Sequence, residues 1–312
     1  MKRKNKKKKG PMGVLFDIMA VLTVLLGVGL LAYPTVADWY NQYHSTRLIA
    51  GYTEAVEGMT QADFDKMLAD ARAYNIDLLT RRNRFKPSEA ELEAYNKILD
   101  VTGTGIMGYI EIPAMSTRLP IYHTTSEAVL QIAVGHLPGS SFPTGDKATH
   151  TALSGHSALP SAKLFTDLET LDTGDVFELH VLDKTQYYEI DAINVVLPEN
   201  MDLLSIDQDA EQVTLITCTP YGVNTHRLLV RGNRIESPPD DYMAKYHPAE
   251  AGDIENPEPG DEGFKPSKAQ VAVFIFLAVM VILIIIWIFW GHGGKAKSDV
   301  GDDGPADQDD GP

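Results

Sequence analysis

Residues 1–36 change from strongly basic to almost entirely apolar. The opening MKRKNKKKKG carries seven Lys or Arg in its first nine positions, and Val14 to Val36 then runs with Asp17 as its single charge. At about 1.5 Å per helical residue this run can cross a hydrocarbon core of about 30 Å. A second run, VAVFIFLAVMVILIIIWIFW at 271–290, has no charge. Both predict transmembrane helices, at 14–36 and 271–290. The basic tip (1–13) predicts a cytoplasmic N-terminus, an outside location for what lies between the runs, and a cytoplasmic tail. Lys295 and Lys297 beyond the second run agree with that orientation. A signal peptide shares the basic-then-apolar pattern, but this run exceeds the usual h-region of about 7–15 residues, and PTVAD is a poor cleavage sequence. An uncleaved anchor is therefore expected.

Between the runs the periodicity changes twice. Residues 37–104 read as helical. In QADFDKMLADARAYNIDLL, Phe64, Met67, Leu68 and Ala71 recur at spacings of three and four, one face of a helix. In KPSEAELEAYNKIL, Ser88 with Glu91 predicts a capping box ahead of Leu92, Tyr95 and Leu99. RRNRFKP reads as the hinge between these helices. From Met107 short apolar or alternating runs are separated by Gly, Pro and Asp. They predict strands at 108–112, 118–123, 150–155, 175–182, 186–197, 213–218 and 226–235, with helical inserts at 126–135 and 161–171. Seven such strands suggest a closed barrel or sandwich. The stretch 237–270, rich in Pro, Gly and acid, reads as a linker, and the tail 291–312 as disordered.

Charge narrows the partners. The chain carries a net −16, and over 37–268 acidic side chains outnumber basic ones by about two to one, so nucleic acid is not an expected partner. Cys218 is the single cysteine. It cannot form an internal disulfide, and it is either a small buried hydrophobe or a reactive thiol. Read as a hairpin, VTLITCTPYGVNTHRLLVRG turns between Gly222 and Val223 and sets Cys218 opposite Arg227, on the same face, with His226 turned away. A guanidinium there lowers a thiol's pKa and offers donors to an oxyanion, although a solvated strand arginine or an ion-pair partner fits the spacing too.

A cysteine nucleophile needs a proton donor and acceptor, usually histidine. His44, His247 and His292 lie in helical, linker or tail segments, and His123 and His180 read as strand residues. His136, His150, His156 and His226 remain, and His156 directly follows a strand through SGH. No cluster of Cys, His and carboxylates stands at metal-ligand spacing along the chain, and GTGIMG lacks the Gly-Lys-Ser/Thr ending of a phosphate loop.

Over roughly residues 105–236 the chain resembles the sortases, most closely the pilin-polymerising class C. The motifs that carry this are TLITC with an arginine nine residues on, the SGH strand end, MGYIEIPAMSTRLPIYH, and the pair of membrane spans. The resemblance implies a mainly β, closed sortase barrel, preceded by a helical subdomain and flanked by two transmembrane helices. It places the catalytic histidine on His156, the nucleophile on Cys218 and the arginine on Arg227, and gives His136 and His150 no role. It implies no metal and no cofactor. Class C members also resemble one another in an N-terminal lid whose Asp-Pro-aromatic motif plugs the site. No Asp-Pro pair occurs between Trp39 and Gly105; RFKPSE, with Phe85, is the nearest stretch.

The chemistry so implied is that of a cysteine transpeptidase. Cys218 attacks the Thr carbonyl of an LPXTG-like sorting signal, the Thr–Gly bond breaks, and the thioacyl group passes to a pilin lysine. His156 would protonate the departing amine and then deprotonate the acceptor, and Arg227 would hold the substrate backbone or the oxyanion. The implied partners are pilin subunits and the lipid bilayer, at the outer face of a Gram-positive cell membrane. Two alternatives stay open: the same chemistry with a peptidoglycan precursor as acceptor, and a non-catalytic membrane-tethered β-barrel that binds surface proteins.

Overall fold

The computed structural model describes residues 11–247 and 268–292. The basic tip up to residue 10, most of the expected linker (248–267) and the tail from 293 lie outside the described residues. The chain divides into two compact units. One holds residues up to Ala32 together with the segment from Lys268 onward; the other spans Tyr33–Ser267.

Helix α1 (Pro11–Glu57) runs unbroken through the first apolar stretch and beyond, with Pro34 inside it. The span expected at 14–36 and the beginning of the helical region expected from 37 are therefore one continuous helix. No further proline or helix-terminating glycine interrupts the chain between Pro34 and Glu57. Among the described residues, α1 contains the one helix long and apolar enough to cross a membrane. Helix α6 (Lys268–His292) covers the second apolar run.

The Tyr33–Ser267 unit is built on an eight-stranded closed barrel. Its strands are β1 (Ile106–Ile112), β2 (Thr117–His123), β3 (Val134–His136), β4 (Thr149–Ser154), β5 (Val176–Val181), β6 (Lys184–Val196), β7 (Glu211–Thr219) and β8 (His226–Ile235). They close in the order β1-β2-β3-β4-β7-β8-β6-β5. All seven expected strands are present within two residues at each end. The eighth, β3, falls in the stretch expected to be helical at 126–135, which instead forms helix α4 (Glu127–Leu130) and then the strand. Three residues carry no period of their own. Their strand character comes from pairing with β2 on one side and β4 on the other, and a side chain on Gly135 would lie 2.3 Å from the Thr124 carbonyl. The other expected insert, 161–171, contains a 3₁₀ turn, Thr166–Thr170, rather than an α-helix.

Alternation sorts the barrel strands into inner and outer faces. Ile110, Ile121, Leu153, Phe177, Leu179, Val213, Leu215 and Val230 point inward and are essentially inaccessible to solvent. Each such side chain contributes about 1.5–3 kcal/mol on burial. Helix α2 (Gln61–Leu78) buries Phe64, Leu68, Ala71, Asn75 and Leu78, at helical spacing, against this body. Met67, expected on that face, packs only at its margin. Capping boxes start both α2, at Thr60 and Asp63, and α3 (Glu89–Tyr95), at Ser88 and Glu91 as expected. The Tyr52 hydroxyl ties α1 to the barrel, donating to the Met107 carbonyl (3.2 Å) and accepting from the Leu182 amide (2.8 Å).

The expected linker is ordered at its beginning. Helix α5 (Asp240–Tyr246) buries Tyr242 and brings its hydroxyl to Glu178 (2.6 Å). Pro and acid at 238–241 look like linker composition, but they are also good material for a helix start.

Candidate active site

Cys218 lies one residue from the end of β7, and the β7–β8 pairing sets it directly opposite Arg227, with Thr219 opposite His226. The expected register is therefore observed, although the connection is a six-residue loop over 220–225 rather than a two-residue turn. Parity is what mattered. On the outer face Cys218 is followed down β7 by Ile216, and Arg227 down β8 by Leu229.

His156 reaches the same neighbourhood from the other side. Strand β4 runs parallel to β7 with Ser154 beside Ile216, so His156 comes level with Cys218 two residues later. Hydrogen bonds on either side fix that level. The Thr217 hydroxyl donates to the Gly155 carbonyl (2.7 Å), and the Ser157 hydroxyl to the Cys218 carbonyl (2.6 Å). Gly155 is needed at this turn because a Cβ there would lie 2.8 Å from the Phe165 ring. The three residues named from sequence are thus brought together by adjacent strands.

The histidines differ in what they are bonded to. His136 Nδ1 meets the Tyr95 hydroxyl (2.8 Å) and its Nε2 the Ser141 carbonyl (2.9 Å). Burial pushes its pKa down to about 3, so the ring stays neutral. His150 is bonded at both nitrogens, to the Ser205 carbonyl (2.8 Å) and the Thr214 hydroxyl (2.7 Å), and burial lowers it to about 4. Both are structural. His156 Nε2 is buried without a hydrogen bond, and Glu127 of α4 stands 3.7 Å from it. Sequence inspection did not find Glu127 as a neighbour, because it approaches from a four-residue helix. Arg227 uses Nη1 on the carbonyls of His226 (3.0 Å) and Asn224 (3.3 Å).

The loop expected as a hinge lies over this sheet face. Phe85 packs into an apolar patch of Ala152, Ile216, Leu229 and Leu204, with Leu137 and Val196 at its edge. That places the ring about one residue pair, some 6–7 Å, down the sheet from Cys218 and Arg227. Arg84 covers the Phe85 ring at 4.6 Å and donates to the Leu204 carbonyl. On the other side the Arg84 carbonyl presses on Gly139, where φ is +92° and a Cβ would meet that oxygen at 2.1 Å. An aromatic side chain therefore covers part of the face without an Asp-Pro motif. The opening beside the thiol, lined by Ser157, Thr166, Glu169 and Tyr221, encloses about 10 Å³, room for one water at most.

A closed eight-stranded barrel with a thiol, an imidazole and a guanidinium gathered at the ends of neighbouring strands defines a class of barrel proteins equipped for thiol chemistry. Residues 110–235 match the Sortase domain family. The chain is 44% identical to sortase C1 of Streptococcus agalactiae, with a TM-score of 0.58, over 61% of this chain and 99% of that structure. It is 36% identical to the pilus-related sortase C of Group B Streptococcus, with a TM-score of 0.53, over 59% of this chain and 95% of that structure. Sortase A of Bacillus anthracis is 24% identical over 224 residues, 71% of this chain and 95% of the relative. The chain belongs to the sortase family, whose members are cysteine transpeptidases acting on sorting signals.

Proposed function

We propose that the protein is a class C sortase that polymerises pilins. The observation that carries the reading is the pairing of Cys218 with Arg227, with His156 brought level with Cys218 by the parallel pairing of β4 and β7. Cys218 as thiolate attacks the Thr carbonyl of the sorting signal, and Arg227 stabilises the oxyanion. Collapse of the tetrahedral intermediate breaks the Thr–Gly bond, and His156 gives a proton to the leaving amine. A pilin lysine, which near its ordinary pKa of about 10.4 is mostly protonated at neutral pH, must lose a proton to attack, and His156, now neutral, is placed to take it. The likeness to the two sortase C structures supports the pilin acceptor. Two membrane spans, α1 and α6, with the barrel on the outer face, complete the arrangement proposed.

The test uses the full chain in detergent with a sorting-signal peptide and a pilin domain. Mass spectrometry should find a Thr-to-Lys isopeptide between them. If only a peptidoglycan-precursor amine is accepted, the protein is a wall-anchoring sortase.

The loop carrying Phe85 acts in this reading as a lid. Arg84 is held in it with Nη1 buried and unbonded, and burial disfavours its charge. A buried guanidinium nitrogen without a partner is costly, which offsets part of what the Phe85 packing contributes to holding the loop. Phe85→Ala removes the ring from the apolar patch. It should raise the alkylation rate of Cys218 by iodoacetamide about tenfold, and an unchanged rate would mean that the loop does not gate the thiol.

A further inference from the structure

Among the described residues two histidines hold a buried Nε2 without a hydrogen bond: His156, and His180 on β5. The second is in a different setting, on strands that contribute nothing to the thiol site. Strands β1 and β5 pair Glu111 with Glu178 and Tyr109 with His180, so these four side chains share the outer face of the barrel. The Glu178 side chain is 1% exposed, while His180 is 18% and Glu111 21% exposed.

Two carboxylates directly opposed on a sheet repel, and burial strengthens the repulsion. Arg118 offsets one of them, at 2.5 Å from Glu111. The other is arranged differently. Glu178 Oε1 accepts from the Tyr242 hydroxyl (2.6 Å) and meets His247 Nε2 (2.7 Å), while Oε2 is 3.2 Å from His180 Nε2. His180 is itself positioned from behind. Its Nδ1 meets the Thr185 hydroxyl (3.0 Å), and its ring stacks on Tyr109 with centroids 4.3 Å apart. The Nδ1–Thr185 contact allows the tautomer that carries its proton on Nδ1, which turns the Nε2 lone pair toward Glu178 and leaves it free to ligate. Two carboxylates and an imidazole nitrogen then converge on a common point, as the donors of a cation do.

Ligand atoms of Glu111, Glu178 and His180 all lie within 4.8 Å of one another. Zinc with bonds of about 2.0–2.2 Å spaces tetrahedral donors by roughly 3.3–3.6 Å, a distance that small side-chain rotations reach. An imidazole among the donors argues against calcium and magnesium, which take oxygen. We propose that Glu111, Glu178 and His180 form a binding site for a divalent transition metal of the zinc class. Thr185 orients the histidine, and Tyr242 and His247 hold the far oxygen of Glu178, the outer-shell arrangement that ligating His and carboxylate side chains adopt. Two carboxylates balance the ion's charge. Because Tyr242 and His247 belong to α5 and the residue after it, the metal would also fasten the segment that leaves the barrel after β8. The proposal does not depend on the transpeptidase reading.

The test uses the full chain in detergent, stripped with EDTA and carrying Cys218→Ala so that the active-site thiol cannot supply a ligand. Titration with Zn²⁺ against a chromophoric chelator should show one tight equivalent, and Co²⁺ should give visible d–d absorption without a thiolate band. Glu178→Gln and His180→Gln should each weaken Zn²⁺ binding by more than about tenfold, and Thr185→Val by about tenfold. Thr185 is exposed, so that variant should keep the fold if either of the others does not. Absence of a saturable equivalent overturns the proposal, as does Zn²⁺ binding of parental strength in Thr185→Val and His180→Gln. Either result would leave a proton shared with Glu178 as the resolution of the cluster.

Discussion

A Cys218→Ala chain should form no thioacyl adduct with a sorting-signal peptide and no ligated product, while melting close to the parent temperature. In the proposed chemistry the sulfur carries the acyl group between the two half-reactions, so what would remain is binding and oxyanion stabilisation without a covalent path. The expected loss in turnover is at least about a thousandfold. The fold should hardly register the change. Cys218 is only partly buried, at the end of β7, with its backbone carbonyl held by Ser157, and the inward core of the strand ends before it. Surface-like substitutions of this kind fall within about 0.5–1 kcal/mol. Mass spectrometry of the enzyme after a single turnover, beside a thermal melt, separates the two effects. Product formed at the parental rate would remove Cys218 from the chemistry.

Arg227→Ala should lower the acylation rate by about 10²–10³, the usual cost of removing an oxyanion donor. Arg227→Lys should recover only part of it. An ammonium is a point charge, whereas the guanidinium presents several fixed donors, and in this structure one of its nitrogens already serves the carbonyls of His226 and Asn224. The loss should appear in kcat more than in KM, because the charge it meets develops only in the transition state. A lysine variant as fast as the parent would show that charge alone suffices.

The thiol site was largely legible in the chain because its geometry is local. Cys218 and Arg227 are nine residues apart on one hairpin, and the face they share follows from parity whatever the length of the loop. His156 could be nominated by the SGH strand end, but its level with Cys218 depends on the parallel pairing of β4 and β7, which no local pattern encodes. The same limit hid β3, whose three residues become a strand only between β2 and β4. Glu111 and Glu178 were invisible as a pair for that reason too. They are far apart in sequence and meet only when β1 pairs β5 at the closure of the barrel. The segment 237–247 was misjudged by composition: its acids and prolines start a helix, and Tyr242 and His247 then find a buried carboxylate. Phe85 lacked the Asp-Pro context expected of a plug, yet the apolar patch made by Ala152, Ile216 and Leu229 suffices to seat it.

The Phe85 loop, if it gates the site as proposed, also bears on which substrates are served. A closed form favoured by, for example, about 2.7 kcal/mol would leave roughly one molecule in a hundred receptive, and every free peptide in solution would then bind about a hundredfold less tightly than to an uncovered site. A protein held nearby on the same surface meets the groove at an effective concentration that can reach millimolar, enough to overcome that handicap. Selection would then act on presentation as much as on sequence. A Phe85→Ala chain should narrow the gap between tethered and soluble substrates.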